Sequence, residues 1–324
     1  MTTIVTGGLG FIGKNFIKTY SKFKNKFIIN IDTGTYASKD YRKIKFENIR
    51  YLFDINDKKK LKNIFQKYKP EAIINFAAET HVDRSIKSSK IFFKTNVLGT
   101  LSLLEASRDY INKNNIKKFK FIHISTDEVF GSLKKKEKSF TEKTKYNPLN
   151  PYAASKASSD HLVRSFVNTY NFPAIITNCS NNFGPFQNKE KFIPMIISKA
   201  IKKQNIPIYG NGKQIRDWIF VDDHCEAIIK ILNHGKLGES YNIGATNEVE
   251  NIELAKKILN LIQKKLKSKF NFSSLLTYVN DRLGHDYRYS INSTKIQNEL
   301  NWKIKINFQK RLEQTIDWYL KRLK

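Results

Sequence analysis

With 324 residues, the chain is long enough for one large α/β domain with an appended lobe, or for two domains. A hydrophobic content of 40%, with 15 Tyr and 23 Phe, excludes a disordered chain, and no apolar run approaches the ~18 residues of a membrane span. Lys and Arg number 58 against 29 Asp and Glu, which raises nucleic acid as a partner.

The lysines are spread over the whole length, however, and no nucleic-acid motif accompanies them. Heavy use of Lys, Asn, Ile and Phe also fits an AT-rich genome, so the basic charge reads as a solvated surface that attracts anionic substrates. Cys179 and Cys225 have no paired spacing and no accompanying His ladder, so neither a disulfide framework nor a metal site is expected. Two reduced cysteines, and a first strand that leaves no room for a signal peptide, suit a cytoplasmic protein.

Thr2 to Thr6 predicts a short β-branched strand, followed at once by Gly7-Gly-Leu-Gly-Phe-Ile-Gly13 and a helical pattern. Gly8, Gly10 and Gly13 fit a dinucleotide-binding turn. The early glycines let a pyrophosphate approach backbone N–H groups, and Gly13 lets the helix pack on the strand. The next strand, Phe27 to Ile31, ends in Asp32, placed to accept from an adenosine ribose. Thr33 and Gly34 bring no cation for a 2′-phosphate, so NAD is favoured over NADP.

Alternation continues with a strand at Arg50 to Phe53 ending at Asp54, a helix from about Lys58 to Tyr68, and a strand at Ala72 to Phe76. The small Ala77 and Ala78 would let a cofactor lie against the backbone. A long amphipathic helix is expected over about Ile91 to Asn112, then a strand over Phe119 to Ile124. This pattern means a Rossmann-type, doubly wound parallel sheet. Ligands of such sheets sit beyond the carboxyl ends of the strands, where Ser125, Thr126, Asp127 and Glu128 fall. Residues Lys134 to Lys145 read as a charged, mobile loop beside the crevice.

Asn150-Pro151 starts a helix with an N-cap and a first-turn proline. Tyr152 and Lys156 follow at i and i+4 on one face, where a cation would favour the phenolate. Tyr152-x-x-x-Lys156 with Gly7-x-x-Gly10-x-x-Gly13 resembles the extended short-chain dehydrogenase/reductases acting on nucleotide sugars. Within that group, Ser125-Thr-Asp-Glu128, His81-Val-Asp-Arg-Ser85 and Arg216-Asp-Trp-Ile-Phe-Val-Asp222 resemble nucleoside-diphosphate-glucose 4,6-dehydratases, over essentially the whole chain.

That resemblance implies a dinucleotide-binding domain over 1–178, also receiving about 217–247, and a smaller C-terminal α/β substrate lobe over 179–324. It implies NAD contacts from Gly7, Gly10, Phe11, Ile12, Gly13, Asp32, Asp54, Ile55, Ala77, Ala78, Tyr152 and Lys156. On the substrate side it implies His81, Asn181 and Lys191, then Pro207 and Tyr209 around the nucleobase. Arg216, Asn251, Arg282 and His285 complete the set. Leu283 stands where the family pattern has Pro, which is expected to loosen that loop. A homodimer through a helix bundle is implied as well, drawing on Ile91 to Asn112 and Pro151 to Tyr170. The helix around Phe308 to Leu323 reads as packing.

The implied reaction is dehydration of dTDP-glucose or UDP-glucose. Tyr152 takes the O4 proton, Thr126 holds O4, and Lys156 holds the nicotinamide ribose. Glu128 takes the C5 proton and a protonated Asp127 donates to the departing C6 hydroxyl. Crowded carboxylates that resist joint ionisation suit this division. The nearest rival is a 4-epimerase or decarboxylase on the same scaffold, which would have no use for Asp127 and Glu128. A remoter rival is a non-catalytic dinucleotide-sensing or nucleic-acid-binding protein, which would not need these groups together.

Overall fold

The computed structural model describes residues 1–36, 38, 46 and 48–323. Strands β1 (Thr2–Thr6), β2 (Phe27–Asp32), β3 (Ile49–Leu52) and β4 (Ala72–Asn75) alternate with helices α1 (Phe11–Tyr20) and α2 (Lys58–Tyr68). Next come α3 (Val82–Lys87), α4 (Lys90–Phe92), α5 (Gly99–Asn114), β5 (Lys120–Thr126), α6 (Pro151–Tyr170) and β6 (Ala174–Cys179). The second half runs β7 (Asn181–Phe183), α7 (Phe192–Ile201), β8 (Ile206–Tyr209), β9 (Ile215–Phe220), α8 (Val221–His234) and β10 (Ser240–Ile243). It ends with β11 (Glu248–Glu250), α9 (Asn251–Leu266), β12 (Leu276–Val279), α10 (Thr294–Leu300) and α11 (Phe308–Leu323).

The large sheet has seven strands in the order β10-β6-β5-β4-β1-β2-β3, and every pairing in it is parallel. Its strands are apolar runs because both faces are covered. Phe16, Ile17, Cys225 and Ile228 of α1 and α8 pack on one face, and Leu61, Leu103 and Val163 of α2, α5 and α6 on the other. Each such fully buried side chain contributes about 1.5–3 kcal/mol of transfer free energy. The order of strands reverses between β1 and β4, which opens a crevice at their carboxyl ends.

The second lobe has its own core of Ile193, Ile197, Ile258, Leu312 and Tyr319 under the small sheets β11-β9-β7 and β12-β8. The chain returns to the large sheet through α8 and β10. It returns once more through Ile296, Leu300 and Trp302 around α10, which pack into the large lobe's core. This second return was not expected, since a short amphipathic helix carries no mark of the core it joins.

Two further differences from the sequence expectations bear on the site. The long helix is broken by a π-helical turn at Phe93–Leu98. There the buried Asn96 accepts from the Glu79 N–H at 2.8 Å and donates to the Glu79 carbonyl at 3.0 Å and Ser155 Oγ at 2.8 Å. Residues 134–145 form no helix or strand, but they are anchored at Phe140. Phe140 is buried, its N–H bonds the Ser290 carbonyl at 2.9 Å, and its carbonyl accepts from the Asn292 N–H at 2.8 Å. Arg288 adds a bond to the Glu137 carbonyl at 2.8 Å. An aromatic anchor and long-range backbone pairing hold a segment whose composition alone signals a flexible tip.

Candidate active site

The glycine turn is shaped by what cannot fit in it. Gly7 has φ +69°, and a Cβ there would come within 2.7 Å of the Ala77 nitrogen. A Cβ on Gly13 would lie 2.5 Å from the Gly7 carbonyl oxygen, whereas Gly10 faces open space apart from a 3.2 Å contact to the same atom. Gly10 is the N-cap of α1 and gives it no side-chain bond, so the first N–H groups of that helix, on Phe11, Ile12 and Gly13, are left for an anion. Asp32 closes the turn, accepting from the Leu9 N–H at 2.9 Å and the Gly34 N–H at 2.7 Å. The cradle fits a dinucleotide.

A cavity of about 240 Å³ extends from Gly7, Gly10 and Gly13 past Ala78 to Thr126, Asp127, Tyr152 and Lys156. Ala77 lies behind Gly7, its N–H on Thr6 Oγ1 at 3.3 Å. Asp54 accepts from the Asn56 N–H in the turn after β3, and Ile55 is buried in the core. Neither of the last two lines the cavity.

Helix α6 begins as its sequence dictates, with Asn150 capping the Ala153 N–H at 2.9 Å and Pro151 in the first turn. This places the buried Tyr152 and Lys156 beside the end of β5. The Lys156 ammonium donates to the Ile124 carbonyl at 2.8 Å, and burial lowers its pKa against the pull of Asp160. Burial, then the Glu128 charge, holds the Tyr152 phenol well above its ordinary pKa. The group that most favours its ionised form is the Thr126 hydroxyl, not the Lys156 ammonium that the spacing suggested.

Asp127 is 2% exposed, and its Oδ2 is without a hydrogen-bond partner. Burial, then Glu128 and Asp217, raise it well above its ordinary value, which favours the protonated acid. Glu128 is also raised by burial, but Arg282, Arg216 and Lys191 oppose the shift. Burial raises both carboxyls; three cations oppose the shift at Glu128, whereas Arg216 is the cation that does so at Asp127.

Beyond Glu128 lies a second cavity of about 290 Å³, lined by every substrate-side residue expected from sequence. Asn181 and Lys191 belong to both cavities. Lys191 donates to the Thr80 carbonyl at 2.8 Å, and His81 stands 3.6 Å from Glu190. Pro207, Tyr209 and Asn251 form one wall. Arg216 is 5% exposed and is no surface ion pair. It donates to the carbonyls of Asp286 and Ile215, both at 2.8 Å, and stacks 4.3 Å from the Tyr289 ring. Arg282 sits at the mouth, 3.7 Å from Asp83.

Leu283 is 76% exposed, and hydrogen bonds flank it in the loop. Asp281 accepts from the Arg282 N–H at 2.8 Å, His285 Nδ1 at 2.6 Å and Gln214 Nε2 at 3.0 Å.

Sequence reasoning missed Cys179, Asn182, Gln187, Glu190, Trp218 and Tyr289, all of which line the site. Cys179 was findable, since it ends a parallel strand next to β5. Tyr289 and its hydrogen-bond partner Asp286 carry no local signal.

Fold and cavities together define a Rossmann-type, dinucleotide-binding chain of the extended short-chain dehydrogenase/reductase class, with a second cavity shaped for an anionic ligand. Residues 4–315 match the GDP-mannose 4,6 dehydratase family, and the chain belongs to that family. It is 46% identical to the dTDP-glucose 4,6-dehydratase of Haemophilus influenzae, over 99% of this chain and 98% of that one. Among solved structures, the dTDP-glucose 4,6-dehydratase of Bacillus anthracis in complex with NAD superposes with a TM-score of 0.87 at 38% identity, over 99% of this chain and 97% of the other. The Streptomyces venezuelae dTDP-glucose 4,6-dehydratase with NAD and TYD bound gives 0.88 at 36% identity, over 99% and 98%.

Proposed function

We propose that the chain is an NAD-dependent hydro-lyase acting on dTDP-glucose, making the 4-keto-6-deoxy sugar nucleotide for deoxysugar biosynthesis of the rhamnose type. One observation carries the reading: Glu128 lines both cavities and the adjacent, buried Asp127 lines the cofactor-side one together with Thr126, Tyr152 and Lys156. The strength of the likeness to dTDP-glucose 4,6-dehydratases supports it, and makes UDP-glucose the minor alternative.

When bound, NAD supplies the hydride acceptor and then the donor, and a positive charge that favours ionisation of Tyr152. Gly7, Gly10 and Gly13 would hold its pyrophosphate, Asp32 its adenosine ribose and Lys156 its nicotinamide ribose. Thr126 holds the sugar O4 while Tyr152 removes its proton. A ketone at C4 acidifies C5–H enough for a carboxylate, and Glu128, with three cations tuning it, takes that proton. Asp127 gives its own proton to the C6 hydroxyl, which leaves as water. Arg216 and Arg282, as guanidinium forks, hold the diphosphate.

Residues 1–178 with 217–247 are assigned to the dinucleotide and 179–324 to the sugar nucleotide, supported by the return of α8 and β10 to the large sheet. A homodimer through the helical segment from Ile91 to Asn112 and α6 is supported by exposed apolar side chains within them, Ile91, Phe93, Leu98 and Tyr170. A cytoplasmic location is supported by two free, buried cysteines, and among the described residues no helix is long and apolar enough to cross a membrane.

The test is incubation with dTDP-glucose, and separately UDP-glucose, in heavy water, followed by NMR of the sugar. A 4-keto-6-deoxy product with deuterium at C5 is expected, formed faster from dTDP-glucose. A galactose-configured product without deuterium would overturn the roles of Asp127 and Glu128. In the Glu128→Gln variant, NADH absorbance should appear on mixing and persist.

A further inference from the structure

Lys156 is 3% exposed, and the Ile124 carbonyl that it bonds is a dipole rather than a counter-charge. An ammonium buried with no anion would give up its proton. One turn further along α6 lies Asp160, fully buried. Between them sits His123, also fully buried, with Nε2 3.3 Å from Asp160 Oδ1 and 3.4 Å from Lys156 Nζ.

The surrounding bonds set the tautomer of this imidazole. Thr6 Oγ1 donates to Asn75 Oδ1 at 2.6 Å, which turns the Asn75 amide nitrogen toward Thr100 Oγ1 and His123 Nδ1, both at 3.3 Å. His123 Nδ1 is therefore the acceptor, and Nε2 carries the proton. The Ser159 hydroxyl donates to the Lys156 carbonyl at 2.8 Å, so its oxygen is open to accept from Nε2 at 3.2 Å. His123 is neutral: burial, then the Lys156 charge, bring its pKa to about 4 against Asp160. Asp160 Oδ2 accepts from Ser125 Oγ at 2.7 Å and from the Tyr146 hydroxyl at 2.9 Å, and Arg164 in turn donates to that hydroxyl at 3.4 Å. Asp160 stays ionised despite its burial, through His123, Lys156 and Ser125. The other titratable group bearing on Lys156 is the Cys179 thiol of β6, which burial and Asp127 keep protonated.

We propose that Asp160 and His123 are positioning residues for Lys156, with Asp160 as its buried counter-ion, held by Ser125 and Tyr146, and neutral His123 as the spacer between the two charges. The inference rests on Lys156 serving the reaction proposed above. Through Ser125, Asp160 also ties the end of β5 to α6, holding Thr126 and Lys156 in one frame.

The test compares Asp160→Asn, Asp160→Glu and Ser125→Ala in the NAD-loaded enzyme, reading NADH appearance and NAD affinity against pH. Lys156 must be protonated, so losing its counter-ion moves the alkaline limb of both profiles to lower pH. A tenfold weaker hold on the proton is a shift of about one pH unit. Asp160→Glu should restore part of it. Ser125→Ala cuts the same tie without removing charge and should leave the limb in place. An unmoved limb in a folded Asp160→Asn protein would overturn the proposal. Independently of any variant and of turnover, 15N NMR of histidine-labelled wild-type protein at pH 6 should show one neutral Nε2–H imidazole shielded from solvent exchange. An imidazolium or an Nδ1–H tautomer there would overturn the spacer role even if dTDP-glucose is turned over normally. Absence of turnover, with NAD binding and the NMR result as expected, would instead count against the reading of the reaction.

Discussion

The cofactor side and the sugar-nucleotide side of the crevice are built by opposite means. The first is made of backbone: a glycine turn, a helix N-terminus and strand ends, drawn mostly from residues 7–78 plus β5 and α6. Its shape depends on side chains that are missing. The second is made of side chains carried by segments spread from His81 to Tyr289, and its charges are held by long-range bonds such as Arg216 to the Asp286 carbonyl. Backbone sites fail when an atom is added. Side-chain sites fail when one is removed, and then only by the share that residue held.

The largest effect should come from Gly13→Ala. The new methyl would lie 2.5 Å from the Gly7 carbonyl oxygen and 2.9 Å from Gly8 Cα, both backbone atoms, so the turn must open. Overpacking of this kind costs about 1–3 kcal/mol, and the purified protein should carry little NAD, measured by its release on denaturation. An Ala variant with full NAD content would break the contrast between the two sides.

The two guanidinium groups sharpen it. Arg216→Met should raise KM for dTDP-glucose about 100-fold and lower Tm, because a charged hydrogen-bonding group worth about 1.5–3 kcal/mol also supports buried carbonyls. Arg282→Met, at the mouth, should raise KM about tenfold with Tm unchanged. Steady-state kinetics and thermal melts on both variants decide it; equal Tm losses would mean that the two are structurally equivalent.

Asp127 should show function opposed to stability. Its folded pKa is raised above the unfolded value, so the native state binds its proton more tightly, and this advantage is complete only below the ordinary carboxylate range. It fades as pH rises. Asp127→Asn should therefore raise Tm at pH 7 relative to wild type, and the gain should vanish below about pH 4 while activity is lost throughout. A Tm difference independent of pH would remove burial of an ionisable carboxyl as its cause. The smallest effect belongs to Leu283→Pro. Gly284 follows with φ +60°, the partner that a turn-opening proline favours. A gain of about 0.4–1 kcal/mol is expected from restriction of the unfolded chain, read as a small rise in the urea midpoint.

Local pattern carried far where one element makes one feature. The helices at Lys58–Tyr68 and Phe308–Leu323 lie where their apolar spacing predicted them, and the Asn150 cap starts α6 as its chemistry requires. At residues 134–145 it gave the loop but not its anchor, because one buried Phe140 carries no signal within a run of lysines. At Leu283 it could not see that the neighbouring Asp281 is bonded by Gln214 from a distant segment and by His285 of the same loop. Tyr289 and Asp286 escaped notice because neither spacing nor neighbours mark a residue that reaches Glu128 from 161 positions away.

The amino-acid sequence by itself determined the alternation of strands and helices, the glycine turn, and the chemistry available at the ends of β5 and α6. These follow from periodicity and from steric and acid–base properties that act within a few residues. Only the tertiary structure decided how burial and neighbouring charges act on the two carboxyls, what acts on Tyr152, and how a fully buried lysine is paired. Protonation in a closed cavity depends on burial and on charges that the chain brings together from distant positions.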